Sequence, residues 1–83
     1  MLKVNKKQIK IGQKIIVNSP LFLYKIEEKN EYGNAVFKQI EIEVGIELTI
    51  ETRPDTKSRI LLKNGSNKYY GYWMEVKKNT ILL

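Results

Sequence analysis

The stretch Phe37–Glu51, with the sequence FKQIEIEVGIELTIE, contains the clearest repeat of the chain. Its aliphatic residues occupy even positions, and these are Ile40, Ile42, Val44, Ile46, Leu48 and Ile50. Its glutamates occupy odd positions, and these are Glu41, Glu43, Glu47 and Glu51. A period of two places alternate side chains on opposite faces of a β-strand. The pattern therefore predicts β-structure with one aliphatic face that lines a core and one acidic face.

This stretch is too long to be one strand of a small domain. Residues 38–51 would extend over roughly 45 Å at about 3.3 Å per residue, and the chain has only 83 residues. Glycine accepts the backbone angles of a sharp turn at the least cost, and Gly45 lies near the middle. We therefore predict two strands, Phe37–Glu43 and Ile46–Glu51, joined at Val44-Gly45.

Short apolar runs separated by turn residues predict the remaining strands. The predicted strands are Gln8–Val17 with a bend at Gly12, Leu21–Glu28, Arg59–Lys63 and Tyr69–Val76, followed by the apolar tail Ile81–Leu83. Asn64-Gly65 is a hairpin signal, which Ser66 and Asn67 extend if the loop is longer than two residues. No segment has sustained helical spacing of apolar residues. We predict one all-β domain over residues 1–83 with five or six strands, in which residues 1–7 form a short strand or a basic arm.

The second half of the chain resembles the SH3-like barrel family, and most closely its bacterial branch. The resemblance covers about forty residues: Val44–Ile50, a polar loop, Arg59–Leu62, the Asn64-Gly65 turn, and Gly71-Tyr72-Trp73. It implies a small five- to six-stranded SH3-like barrel, with an OB-like barrel as the alternative. Arg59 and Ile60 stand where an aromatic residue usually opens the penultimate strand of that family, so the resemblance does not extend to peptidoglycan binding.

Composition excludes several kinds of chemistry. The chain contains no cysteine and no histidine, which removes disulfides, thiolate metal sites and the commonest general base. The glutamates of Phe37–Glu51 have no histidine, cysteine or aspartate beside them, and an exposed acidic face is their simplest interpretation. We therefore expect no catalytic residues, no metal site, no cofactor and no enzyme activity.

The formal net charge of +6 is unevenly distributed. Residues 1–25 carry six lysines and no acid, residues 26–51 carry seven acids and two lysines, and residues 52–83 carry seven basic residues and two acids. The lysines of the first segment that are candidates for phosphate binding are Lys3, Lys6, Lys7, Lys10 and Lys14. Their alternative roles are to keep a sheet edge soluble and to pair with the glutamates across strands.

The cluster of aromatic residues at 69–73 is the best candidate for a binding site. Alternation along the predicted strand Tyr69–Val76 places Tyr69 and Trp73 together on one face, with Tyr70 and Tyr72 on the other. We expect Tyr70 and Tyr72 to face the core, and Tyr69 and Trp73 to form an exposed partner-binding site. Its basic neighbours would be Lys68, Arg59 and Lys63. In the alternative, Trp73 covers one end of a barrel and contacts no ligand.

These observations leave three classes of function. The first is a small non-enzymatic module that binds another protein, such as a phage or mobile-element regulator or inhibitor of a host complex. The second is a nucleic-acid-binding barrel without sequence specificity, which the acidic stripe disfavours. The third is a structural subunit that assembles by edge pairing, and the oligomeric state stays open. The chain contains neither an apolar stretch of about 20 residues nor a secretory h-region, so we expect no membrane association and a cytoplasmic location.

Overall fold

The computed structural model describes residues 9–29 and 31–83. In that part of the chain the elements are β1 (Lys14–Val17), β2 (Leu21–Lys29), β3 (Ala35–Ile42), β4 (Glu47–Ile50), β5 (Arg59–Asn64), β6 (Asn67–Tyr72), α1 (Trp73–Asn79) and β7 (Thr80–Leu82). The strands form one antiparallel sheet in the order β3-β2-β6-β5-β4-β1-β7. The predicted all-β class is confirmed. The predicted number of five or six strands is wrong, because the described residues form seven. These strands do not close into the predicted barrel, because β3 and β7 are the two edges of this order.

The stretch Phe37–Glu51 folds as two strands joined by a turn, as predicted. β3 ends at Ile42, β4 begins at Glu47, and Gly45 adopts a φ of 96° between them. The Gly45 amide donates to the Val17 carbonyl at 2.8 Å, which ties this turn to β1. The even-numbered aliphatic residues near the turn do not reach the core, because Val44 is 58% exposed and Ile46 is also exposed.

The core lies on one face of the sheet and is mainly apolar, with Thr80 also fully buried. Its buried members are Ile9, Ile15, Val17, Leu21, Leu23, Ile42, Leu48, Ile50, Ile60, Leu62, Trp73 and Val76. Removing one such side chain from water stabilises the fold by roughly 1.5–3 kcal/mol. We call the opposite face of the β3-β2-β6-β5 part of the sheet the outer face.

The predicted first strand is shorter in the structure. It begins at Lys14 rather than at Gln8, because Gly12 has a φ of 89° and turns the chain where a bend was predicted. Ile9 lies before this turn and still packs in the core. Residues 1–8, which include the predicted basic arm and the start of the predicted strand, lie outside the described residues.

The predicted strand Tyr69–Val76 is wrong in its second half. The strand β6 ends at Tyr72, and α1 begins at Trp73. The helix buries Trp73, Val76 and Asn79, a spacing of three that places these side chains on one helical face. The Asn79 side chain donates to the Glu75 carbonyl at 2.8 Å, and the Ser19 hydroxyl donates to Asn79 Oδ1 at 2.5 Å. These hydrogen bonds satisfy a buried amide and fix the end of the helix against the turn before β2.

Candidate functional site

Trp73 and Tyr69 do not stand on the outer surface, so their predicted exposure is wrong. Trp73 is only 5% exposed, and Tyr69 is half-buried against the same core. Gly71 lies on the same face as Tyr69 and approaches Leu23 so closely that an added Cβ would lie 2.5 Å from Leu23 Cδ2. With Gly71 turned inward, residues two positions away on β6 share its face. Trp73, which is the first residue of α1, also places its indole in the core.

The same alternation turns Tyr70 and Tyr72 outward, where the sequence had placed them in the core. Tyr70 is 37% exposed and Tyr72 is 51% exposed. Strand pairing sets Tyr70 opposite both Tyr24 of β2 and Leu61 of β5. Paired residues of antiparallel strands share a face, so the outer face is rich in aromatic and apolar groups.

These side chains line a groove with a volume of about 750 Å³, which we call the aromatic groove. Its lining residues are Tyr24, Phe37, Thr52, Arg53, Asp55, Arg59, Ile60, Leu61, Tyr70, Gly71 and Tyr72. The volume lies within the range of roughly 300–1,000 Å³ that is typical of ligand pockets. Aromatic side chains of β2, β3 and β6 form one side of the groove, and the loop between β4 and β5 forms the other.

Two edge-to-face pairs order the aromatic side of the groove. The rings of Tyr24 and Tyr72 are 6.0 Å apart at 83°, and those of Phe37 and Tyr70 are 5.9 Å apart at 87°. Neighbouring strands lie about 4.8 Å apart, and β2 separates β3 from β6, so Phe37 and Tyr70 incline towards each other across β2. Such pairs contribute roughly 0.5–1.5 kcal/mol beyond burial. The rings are therefore held in position while Phe37, Tyr70 and Tyr72 stay exposed and Tyr24 stays partly exposed.

Asp55 orders the opposite side of the groove. Its Oδ1 accepts hydrogen bonds from the amides of Lys57 and Arg59, both at 2.9 Å, and its Oδ2 lies 3.1 Å from Arg59 Nε. The loop is also joined to α1, because the Trp73 amide donates to the Ser58 carbonyl at 2.6 Å. Ser58 has a φ of 59°, an uncommon conformation for a residue other than glycine. These contacts hold the loop against the groove.

The hydrogen bond from the Arg59 amide is the largest cause that lowers the pKa of Asp55, and the Lys57 amide and the Arg59 guanidinium add to it. A carboxyl whose pKa is lowered by folding stabilises the protein above its unfolded value, here 3.8, and loses that contribution as the pH falls through the folded value. We therefore expect Asp55→Asn to lower the melting temperature at about pH 7, by an amount that diminishes as the pH is lowered towards about 2. Circular-dichroism melts at both pH values test this. An equal difference at both would show that the charge of Asp55 does not stabilise the fold.

The three predicted basic neighbours of the aromatic site differ in their partners. Arg59 lines the groove but is paired with Asp55. Lys63 lies 3.0 Å from Glu51, and its hydrogen bond is the main cause that lowers the pKa of Glu51. Lys68 is exposed and pairs in register with Lys63. Arg59, Lys63 and Lys68 thus lie on the same face as the aromatic residues, without Trp73.

The predicted phosphate-binding lysines form no described site with the groove. Lys14 lies 3.7 Å from Glu47 across the β1–β4 pair, so one lysine–glutamate pair of the kind considered as an alternative is present. Lys10 is exposed near the turn at Gly12, and Lys3, Lys6 and Lys7 lie outside the described residues.

Sequence reasoning missed Tyr24, Phe37, Leu61, Tyr70 and Tyr72 as site residues. One signal was present in the run Leu21–Ile26, in which Leu21 and Leu23 alternate with Phe22, Tyr24 and Ile26. Its two apolar faces were interpreted as burial over part of the strand. In the structure Leu21 and Leu23 are buried, whereas Phe22 and Ile26 are 45% and 42% exposed.

Among residues 9–29 and 31–83, no group of three or more histidine, cysteine, aspartate or glutamate side chains is placed to hold a metal ion. Within the same residues, no helix combines the length and the hydrophobicity needed to cross a membrane. No protein-family model matches the chain, and searches of curated proteins and of solved structures find no match either.

Proposed function

We propose that this chain is a non-enzymatic interaction module that binds another protein through the aromatic groove. The observation that carries the proposal is the set of ordered but accessible rings of Tyr24, Phe37, Tyr70 and Tyr72 around that groove. The SH3-like architecture belongs to the same proposal, because a β4–loop–β5–glycine hairpin–β6 order supports it. The proposal also includes a role as a regulator or inhibitor that acts by occupying a surface of a larger complex.

The chemistry of the groove favours a protein partner over nucleic acid. Tyrosine and arginine are enriched among the residues that dominate protein–protein binding energy, and the groove contains both. Carboxylates lie among them: Asp55 lines the groove, and Glu51 pairs with Lys63 on the same face. These carboxylates compensate Arg59 and Lys63, whereas the binding of a nucleic acid depends on an excess of uncompensated cations.

A random library of 12-residue peptides displayed on phage tests the proposal without requiring the natural partner. The chain is immobilised, and the peptides that it selects are measured in solution by fluorescence anisotropy. The double variant Tyr70→Ala, Tyr72→Ala should bind them at least about 30-fold more weakly, which corresponds to roughly 2 kcal/mol. The reason is that this variant removes one ring from each of the two aromatic pairs.

Val44→Ala is the matched control, since Val44 is 58% exposed in the turn after β3 and does not line the groove. It should bind the peptides like the wild type, and circular dichroism should show both variants folded. Peptides that bind the folded double variant and the wild type equally would refute the proposed function. Failure to select any peptide, together with retention of a labelled single-stranded oligonucleotide at low salt, would favour nucleic acid instead.

A further inference from the structure

Arg53 differs from Arg59, the other cation that lines the aromatic groove, in having no carboxylate partner in the described part of the chain. Arg59 Nε is paired with Asp55, and Lys63 is paired with Glu51. Arg53 is exposed and lines the groove, yet no hydrogen bond or ion pair joins it to any residue in the described part of the chain. Its guanidinium is therefore available to a ligand in the groove.

The position of Arg53 matters because the loop that carries it is held in place. Asp55 is two residues away and binds the backbone amides of Lys57 and Arg59. Before Arg53, the Thr52 amide donates to the Leu61 carbonyl at 3.3 Å, and the Leu61 amide donates to the Thr52 hydroxyl at 3.1 Å. Leu61 itself lines the groove. Arg53 thus follows a residue that is hydrogen-bonded to β5 beside the aromatic rings.

The groove consequently presents two different chemistries side by side. The rings of Tyr24, Phe37, Tyr70 and Tyr72 offer an apolar surface, and Arg53 offers a planar fork of donors that matches a carboxylate in a bidentate geometry. The charged groups that line the groove are two arginines and one aspartate, and the aspartate is already paired. The electrostatic complement of this lining is a single negative charge next to an apolar side chain.

We propose that the occupant of the aromatic groove is an acidic linear segment of a protein partner. This inference rests on the proposed function and specifies its ligand. The segment carries an aromatic or large aliphatic residue that packs on the tyrosines, and an aspartate or glutamate within about three residues of it, which is roughly 10 Å of extended chain. The carboxylate pairs with Arg53.

Selection from the same phage library tests the inference directly. Peptides selected on the wild-type chain should be enriched in aspartate or glutamate within three positions of an aromatic or large aliphatic residue. Arg53→Glu should weaken their binding at least about tenfold. Selection repeated on the Arg53→Glu chain should shift the enrichment to lysine and arginine.

Lys57→Glu is the matched control. Lys57 belongs to the same loop and is exposed, and the substitution makes the same change in charge without touching the groove lining. The Lys57 backbone amide that binds Asp55 is retained. Lys57→Glu should therefore keep most of the affinity, and the difference between the two variants should diminish as salt is raised.

The outcomes separate this inference from the proposed function. Peptides that depend on Tyr70 and Tyr72 but lack acidic residues, and that lose no more affinity with Arg53→Glu than with Lys57→Glu, would overturn the acidic ligand and leave protein binding intact. Absence of any peptide that depends on the tyrosines would refute the proposed function itself. A labelled 20-nucleotide single strand that requires Arg53, with no acidic peptide selected, would overturn the inference in favour of a phosphate ligand.

Discussion

Replacement of Trp73 by alanine is expected to lower the free energy of unfolding by about 3–5 kcal/mol. The indole is 5% exposed and belongs to the core cluster together with Val76 of the same helix. A domain of 83 residues has a total stability of only about 4–12 kcal/mol, at roughly 0.05–0.15 kcal/mol per residue. The expected loss is therefore a large fraction of the total stability, and a loss of binding in this variant carries information about the groove only where the variant is shown to be folded.

Urea unfolding followed by far-ultraviolet circular dichroism measures this effect. Met74→Ala is the control, because Met74 follows Trp73 in α1 but is 69% exposed, and it should change the stability by less than about 0.5 kcal/mol. Trp73 is the only tryptophan, so the wild-type fluorescence should shift to longer wavelength on unfolding. A loss below about 1 kcal/mol for Trp73→Ala would show that the indole is not part of the core.

Substitution of Gly71 is the second change for which we expect a large effect. A Cβ at this position would lie 2.5 Å from Leu23 Cδ2 and 3.2 Å from Val76 Cγ2, and both neighbours are fully buried. Overpacking of this kind costs roughly 1–3 kcal/mol. We expect Gly71→Ala to lose stability in that range and Gly71→Val to lose more, because each added methyl group must displace more of the core.

The Leu23→Val background separates overpacking from a general intolerance of side chains in β6. Valine lacks the δ-carbons, so the atom nearest to the new Cβ is absent. Gly71→Ala should then cost less in this background than in the wild type, with a coupling that a double-mutant cycle measures. Equal costs in both backgrounds would contradict the close approach of Leu23 to Gly71.

Much of the fold was predictable where one periodicity dominated. In Phe37–Glu51, the alternation of aliphatic and acidic residues, together with one glycine, predicted both strands and the turn between them. Burial along the stretch is less complete than predicted, since a tight turn at Val44-Gly45 leaves Val44 and Ile46 without a sheet to pack against. Period-two patterns predict the face of a side chain but not whether another layer covers it.

The aromatic site was mispredicted because the residues of β6 that face the core were assigned from the aromatic residues alone. The hairpin after β5 has a two-residue loop, Gly65-Ser66, which pairs Asn64 with Asn67. This register sets Ile60 opposite Gly71 and Leu62 opposite Tyr69. Since Ile60 and Leu62 are buried, Gly71 and Tyr69 must face the core too. The loop length left open in the sequence therefore decided which tyrosines are exposed.

The helix α1 was missed for a different physical reason. It has seven residues, too few for an apolar stripe of several turns, and it follows a strand without a side-chain cap at Tyr72. Its start depends on tertiary contacts instead, above all the hydrogen bond from the Trp73 amide to the Ser58 carbonyl. A contact between residues 15 positions apart in sequence leaves no local signal.

The pairing of Tyr24 with Tyr70 has a consequence for how occupancy and folding are linked. This register pair joins the β2–β3 hairpin to β6, and both tyrosines also line the groove. A ligand that rests on these two rings touches both sides of the junction at once. It must therefore stabilise the attachment of the hairpin as well as its own complex, since whatever binds only the joined state favours that state by mass action. In this chain, Tyr24 and Tyr70 therefore belong both to the junction between β2 and β6 and to the proposed binding site.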